Sequence, residues 1–115
     1  MRNLPCQNLS VFYTNGLIYQ KRRRLPKTLS NIEDGKQVIR SSGSVGANFE
    51  ANEALSKKDF IMRIKICRKE SKETAYWLKL LEASSNSALE AERTGLIQES
   101  GELVNIFGAI IRKSE

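Results

Sequence analysis

The chain reads as an all-α protein, an antiparallel up-and-down four-helix bundle with no sheet. Three observations predict this. Apolar residues recur at steps of three and four, rather than in the strict alternation of a half-buried strand. The stretches between the periodic segments are short, which sets successive helices antiparallel. Both prolines stand early, at Pro5 and Pro26, so everything after residue 26 is free of the residue that breaks helices. The expected helices are about 10–24, 35–55, 57–83 and 89–112, in one domain spanning residues 1–115.

The first helix is the least regular. SVFYTNGLIYQKRRRL carries Phe12, Ile18 and Leu25 as its apolar positions, and Asn15-Gly16 interrupts it. Pro26 ends it by pushing the preceding residue out of the helical region. TLSNIEDGK (28–36) is expected to form a loop or a single turn.

The second helix contains RSSGSVGANFE (40–50), in which five of eleven residues are Ser or Gly. Val38, Ser41 or Ser42, Val45, Phe49 and Asn52 nevertheless trace one helical face. Gly43 and Gly46 each weaken a helix interior by about 1 kcal/mol relative to Ala. Close approach of a neighbouring helix offsets that cost, and Ser41, Gly43, Ser44, Gly46 and Asn48 are the residues expected to permit it. Asn48 is expected to find structural hydrogen bonds. A flexible loop is the alternative.

The third helix is the clearest. Ser56-Lys57-Lys58-Asp59 is a capping-box variant. Phe60, Ile64, Cys67, Ser71, Thr74, Leu78 and Leu81 then form one seam of alternating four- and three-residue steps. At 100° per residue, Lys58, Lys65, Lys69, Lys72 and Lys79 fall on the opposite side. Asp59 with Arg63 and Lys69 with Glu73 have the i, i+4 spacing of helical ion pairs. Ile66, Trp77 and Leu80 make a second apolar stripe on the flank, which either an oligomer interface or a wide core would absorb. After the polar connection SSNSA, the fourth helix carries a stripe of Leu96, Ile97, Ser100, Leu103, Val104, Phe107, Ile110 and Ile111. Gly95, Gly101 and Gly108 lower its intrinsic propensity, so packing has to hold it.

The composition bounds the chemistry. The chain has no histidine and two cysteines, Cys6 and Cys67. That removes the commonest general base, the usual triads and the Glu-x-x-His di-iron sites of some bundles. It also leaves no ligand set for zinc. No metal, cofactor or catalytic residue is expected, and Cys67 reads as a buried, inert thiol. GSVGAN lacks the spacing of a phosphate-binding P-loop and follows no strand. Glu70 and Glu73, without a cleft, do not make an acid/base pair. No apolar run approaches the roughly 20 residues that span a bilayer, and the N-terminus lacks a signal peptide's apolar core. A cytoplasmic protein is expected, with no membrane partner.

The net charge is +6, unevenly spread. Residues 1–69 carry 14 Lys/Arg against five Asp/Glu, and residues 70–115 carry five against eight. The basic half points to an anionic partner such as RNA or DNA. Lys21, Arg22, Arg23, Arg24 and Lys27 form the densest run, and Lys58, Lys65, Lys69 and Lys72 extend it. Solvated side chains at a helix end and opposite a core are the alternative for both groups. No aromatic residues interleave them to stack bases, so any binding is expected to run through phosphates with little sequence reading. A scaffold that docks a partner protein is the other functional class.

RSSGSVGAN (40–48), SKKDFIMRIKI (56–66) and KETAYWLKLL (72–81) resemble the bacterial four-helix-bundle family encoded in intervening sequences of 23S ribosomal RNA genes. LPKT (25–28) matches the end of that family's first helix. The resemblance implies an antiparallel bundle that assembles into a ring-like homopentamer with no known catalytic activity. Relation of the family to an accessory protein of diversity-generating retroelements implies nucleic-acid binding. The chain departs from the family pattern in two places. One residue is missing between Phe49 and Glu50, which a bulge or an early helix end near Asn52 absorbs. Residues 1–24 match weakly.

Overall fold

A computed structural model describes residues 25–51, 56–83 and 86–115. Among these residues the protein is all-α with no strand. Its three helices are α1 (Leu29–Glu50), α2 (Lys57–Leu80) and α3 (Ser87–Ser114). The expected helix 10–24, and with it Lys21, Arg22, Arg23 and Arg24, lies outside the described residues.

Each helix starts at a side-chain cap that accepts an otherwise orphaned backbone N–H. Thr28 Oγ1 accepts from Asn31 N, Ser56 Oγ from Asp59 N and Asn86 Oδ1 from Leu89 N, each at 3.1 Å. The first cap corrects an expectation. TLSNIEDGK is the start of α1 rather than a loop or a single turn, so α1 begins six residues ahead of the expected Gly35. Two things recruit the segment. Thr28 supplies the cap, and Asn31, one of the most buried polar residues, ties the first turn to the end of α2. Its Nδ2 donates to Pro26 O and Glu82 O, and its Oδ1 accepts from Glu82 N, all at 2.9 Å.

RSSGSVGANFE is helix throughout. α1 ends at Glu50, with Ala51 N–H donating to Ala47 O and Phe49 O. It therefore stops short of the expected residue 55, beside the point where the family pattern carries an extra residue. α2 ends at Leu80 rather than residue 83, and α3 extends two residues beyond each of its expected ends.

α2 packs against both α1 and α3. The three run alternately up and down. The start of α1 meets the end of α2 through Asn31 and Glu82, and the end of α1 meets the start of α2 where Arg63 Nη1 donates to Asn48 Oδ1 (3.3 Å). Arg63 thus turns to α1 rather than forming the expected pair with Asp59. The core comprises Val38 and Val45 from α1, Ile64, Cys67 and Leu78 from α2, Leu81 just beyond it, and Leu103 and Phe107 from α3. Phe49 and Phe107 touch across it with ring centroids 6.1 Å apart.

The α1–α2 crossing uses the trimmed side chains. Ser41, Ser42, Ser71 and Thr74 are fully buried. Thr74 Oγ1 donates to Ser41 Oγ at 2.8 Å, and Ser41 Oγ donates to Gln37 O at 2.8 Å. Small hydroxyls let the backbones approach while every buried oxygen keeps a partner. Gly43, Ser44, Gly46 and Asn48 are half-buried. Asn48 Nδ2 donates to Ser44 O at 2.9 Å, which leaves its Oδ1 for Arg63.

Candidate nucleic-acid interface

The seam of α2 faces the core, so its opposite side is set by geometry alone. Lys58, Lys65, Lys72 and Lys79 are all exposed there. They recur every seven residues, two helical turns or about 10 Å apart. None has a hydrogen bond or ion pair among the described residues. A row of uncompensated ammonium groups at this spacing attracts a polyanion without reading its sequence.

Lys69 keeps different company. Its Nζ lies 3.9 Å from Glu70 Oε2 and 3.7 Å from Glu73 Oε2. Arg40 Nη1 and Nη2 reach Glu70 Oε1 and Glu73 Oε1 at 3.4 and 2.8 Å. Two cations and two carboxylates thus form a balanced α1–α2 tie, and the charge on Lys69 is already compensated. Glu70 is buried within this tie. The Lys69–Glu73 contact is the i, i+4 pair expected from the sequence; reading α2 alone still placed Lys69 in the basic row, because it could not show Arg40 of α1 completing the tie.

Lys27 is exposed in the segment leading into α1. At the end of the molecule formed by the start of α2 and the end of α3, an open depression of about 640 Å³ is lined by Lys57, Lys58, Ile61, Met62, Lys65 and Glu115. Its floor is apolar and its rim is largely basic.

Two further cations were not singled out by the sequence. Arg68 leaves α2 towards α3, and Arg112 stands one turn beyond Gly108 on α3. A methyl group on Gly108 would lie 3.3 Å from Arg112 Nη1 and 3.5 Å from Arg68 Nε. Arg68 Nε is buried and has no hydrogen-bond partner. The only sequence signal for this pairing was a glycine on the stripe of the facing helix.

The flank stripe divides. Ile66 and Trp77 are half-buried, and Trp77 packs against the core. Leu80 is 43% exposed, one turn from Tyr76 at 56%, while Met62, 53% exposed, stands at the other end of α2. The Tyr76 and Trp77 rings meet edge to face at 5.0 Å, and the Trp77 indole N–H has no partner.

Cys67 has no neighbour with which to do chemistry. Burial pushes its thiol up to about 12, so it is neutral and poorly nucleophilic at physiological pH. Among the described residues no group of three or more His, Cys, Asp or Glu is placed to hold a metal ion. No described helix is long and apolar enough to cross a membrane.

These features define a class: an all-α helical protein whose first two helices are tied by balanced charges and whose second carries a row of exposed, unpaired lysines. The chain belongs to the 23S rRNA-intervening sequence protein family, whose model matches residues 12–107. A solved structure from Bacteroides thetaiotaomicron is similar over 90% of this chain and 97% of that one, with 30% identity and a TM-score of 0.69. It is described as a protein with unknown function from the S23 ribosomal protein family. No curated protein matches.

Proposed function

We propose that this protein is a non-enzymatic, homo-oligomeric helical bundle that binds RNA or DNA through backbone phosphates. The observation that carries the reading is the row Lys58, Lys65, Lys72 and Lys79, exposed and without an ion pair. Solvated lysines on a helix normally find i, i+4 carboxylates. Here no carboxylate stands three or four residues from Lys58, Lys65 or Lys72, and Glu70 and Glu73 pair with Arg40 and Lys69. The Arg22–Arg24 run adds to the same charge. The bundle has four helices in this reading, residues 10–24 supplying the fourth, and it forms a pentamer in which the row repeats five times. Weak contacts then sum to useful avidity.

The test is retention of a labelled single-stranded RNA as salt is raised. Four neutralised phosphates give a slope of log K against log salt of about −3. Charge reversal of Lys58, Lys65, Lys72 and Lys79 to Glu abolishes binding and leaves the melting temperature within a few degrees. Charge reversal of Arg22, Arg23 and Arg24 isolates the N-terminal contribution. No retention at low salt sinks the reading.

The exposed Tyr76 and Leu80, one turn apart at the end of α2 beside the unpartnered Trp77 indole N–H, favour a second reading. In it the same bundle is a scaffold that docks a partner protein, and the cations only keep it soluble. Binding that is insensitive to salt and lost in Tyr76→Ala points to that reading.

A further inference from the structure

We propose that the open depression at the start of α2 seats one unstacked base of a single-stranded RNA or DNA, while the lysines around it hold the phosphates on either side. The inference rests on the proposed function and deepens it, because it says which form of nucleic acid the lysine row receives.

Room and chemistry both come from the first turns of α2. The depression has a volume of about 640 Å³, within the ~300–1,000 Å³ of small-ligand sites. Ile61 and Met62 form its floor, and Lys57, Lys58 and Lys65 stand around them. Glu115, at the end of α3, supplies the one carboxylate of the lining. None of the three lysines has an ion pair or hydrogen bond among the described residues, so the rim keeps a surplus of positive charge. Arg112 and Lys113 in the last turn of α3 add to it. Met62 is 53% exposed, which leaves a polarizable thioether open to a flat apolar ligand.

Position narrows the occupant. Lys58 and Lys65 are the first two members of the row that continues through Lys72 and Lys79, so the depression opens directly onto that face. Helical spacing puts Lys58 and Lys65 about 10 Å apart, with Ile61 and Met62 between them in the chain. The succession of cation, apolar floor and cation matches phosphate, base and phosphate along a single strand. A duplex cannot use such a seat, since its bases are stacked inside and it offers the row only phosphates. Neither floor side chain carries a strong donor or acceptor to read a base edge. The seat therefore tells single strand from duplex and leaves sequence unread.

The experiment measures the fluorescence anisotropy of three labelled ligands of equal length with the intact protein at low salt. They are an oligouridylate, the same strand made abasic throughout, and a duplex. The parent holds the oligouridylate about fivefold more tightly than the abasic strand, the low end for one seated base because no aromatic ring takes part. Met62→Gln keeps the charge, length and helix propensity of the residue, and its melting curve overlays the parent's. It erases the fivefold difference and leaves duplex affinity unchanged. Lys65→Gln instead weakens all three ligands and lessens the salt slope by about one.

An abasic strand held as tightly as the oligouridylate overturns the seat and leaves the lysine row standing. So does a Met62→Gln variant that weakens duplex and single strand alike. An acidic peptide bearing one Leu that binds the parent and is lost in Met62→Gln, while oligouridylate binding is untouched, assigns the depression to a partner protein and equally overturns the seat. Retention of none of the three nucleic acids refutes the proposed function and the seat together.

Discussion

Asn31 shows how one side chain joins elements far apart in sequence. It closes three hydrogen bonds that tie Pro26 O and both backbone groups of Glu82 to the first turn of α1. Asn31→Ala strips all three partners at a buried site. The expected loss is about 3 kcal/mol, read as a lower denaturation midpoint in urea. Asn31→Asp is no rescue, because a carboxylate cannot donate to Pro26 O and Glu82 O. Cys67 carries a pH dependence of opposite direction to the usual carboxylate. Its folded-state value is raised to about 12 from 9.0 by burial, so the folded state holds its proton longer than the unfolded chain. Stability is then fully present below pH 9 and falls as pH rises towards 12. The slope approaches about 1.4 kcal/mol per pH unit. Cys67→Ala is less stable at neutral pH, and between pH 9 and 10 its stability declines less steeply than that of the parent in matched urea titrations.

At the scale of the helix, α3 is held by partners more than by propensity. Gly95 and Gly101 both lie inside it, and a Cβ on either meets nothing within 4 Å. Gly101→Ala therefore raises stability by about 1 kcal/mol, visible as a higher thermal midpoint. A decrease would mean that another surface closes over this face. The α2–α3 corner is fastened by Arg93, whose Nη1 donates to Leu78 O and Lys79 O at 3.2 and 3.3 Å, satisfying carbonyls at the end of α2. Glu90 steadies that arginine in a charge-assisted hydrogen bond. The bond holds the Glu90 carboxyl below its ordinary 4.5. Its contribution is therefore present above pH 4.5 and fades as pH falls through the lowered value. Glu90→Gln flattens that acid limb of a stability-versus-pH curve.

For the whole molecule, the decisive contrast is between balanced and unbalanced charge. Arg40, Lys69, Glu70 and Glu73 cancel where α1 meets α2, while the lysine row remains free for an external anion. A second surface, Tyr76 and Leu80 at the end of α2, is more apolar than a solvated helix face requires. If the proposed pentamer assembles through this surface rather than leaving it for a partner protein, light scattering gives a mass near five times the 13.0 kDa chain, and Leu80→Glu lowers that mass without unfolding the bundle. A single-chain mass for the parent protein would rule assembly out.

The all-α class, the Ser56 cap, the α2 seam and the helical nature of residues 40–50 were legible because they follow from local periodicity, which each segment carries by itself. Lys58, Lys65, Lys72 and Lys79 were legible for the same reason: fixing one face of a helix fixes the other. The start of α1 at Leu29 was not, since Glu82 lies fifty-one residues beyond Asn31. Nor were the joining of Arg40 to Glu70 and Glu73, although the Lys69–Glu73 pair itself was, or the meeting of Arg68 with Arg112. Helical spacing along one chain determines which side chains share a face. Only the antiparallel docking of α1, α2 and α3 decided which charges stand beside one another, because distance across a seam has no trace in sequence separation.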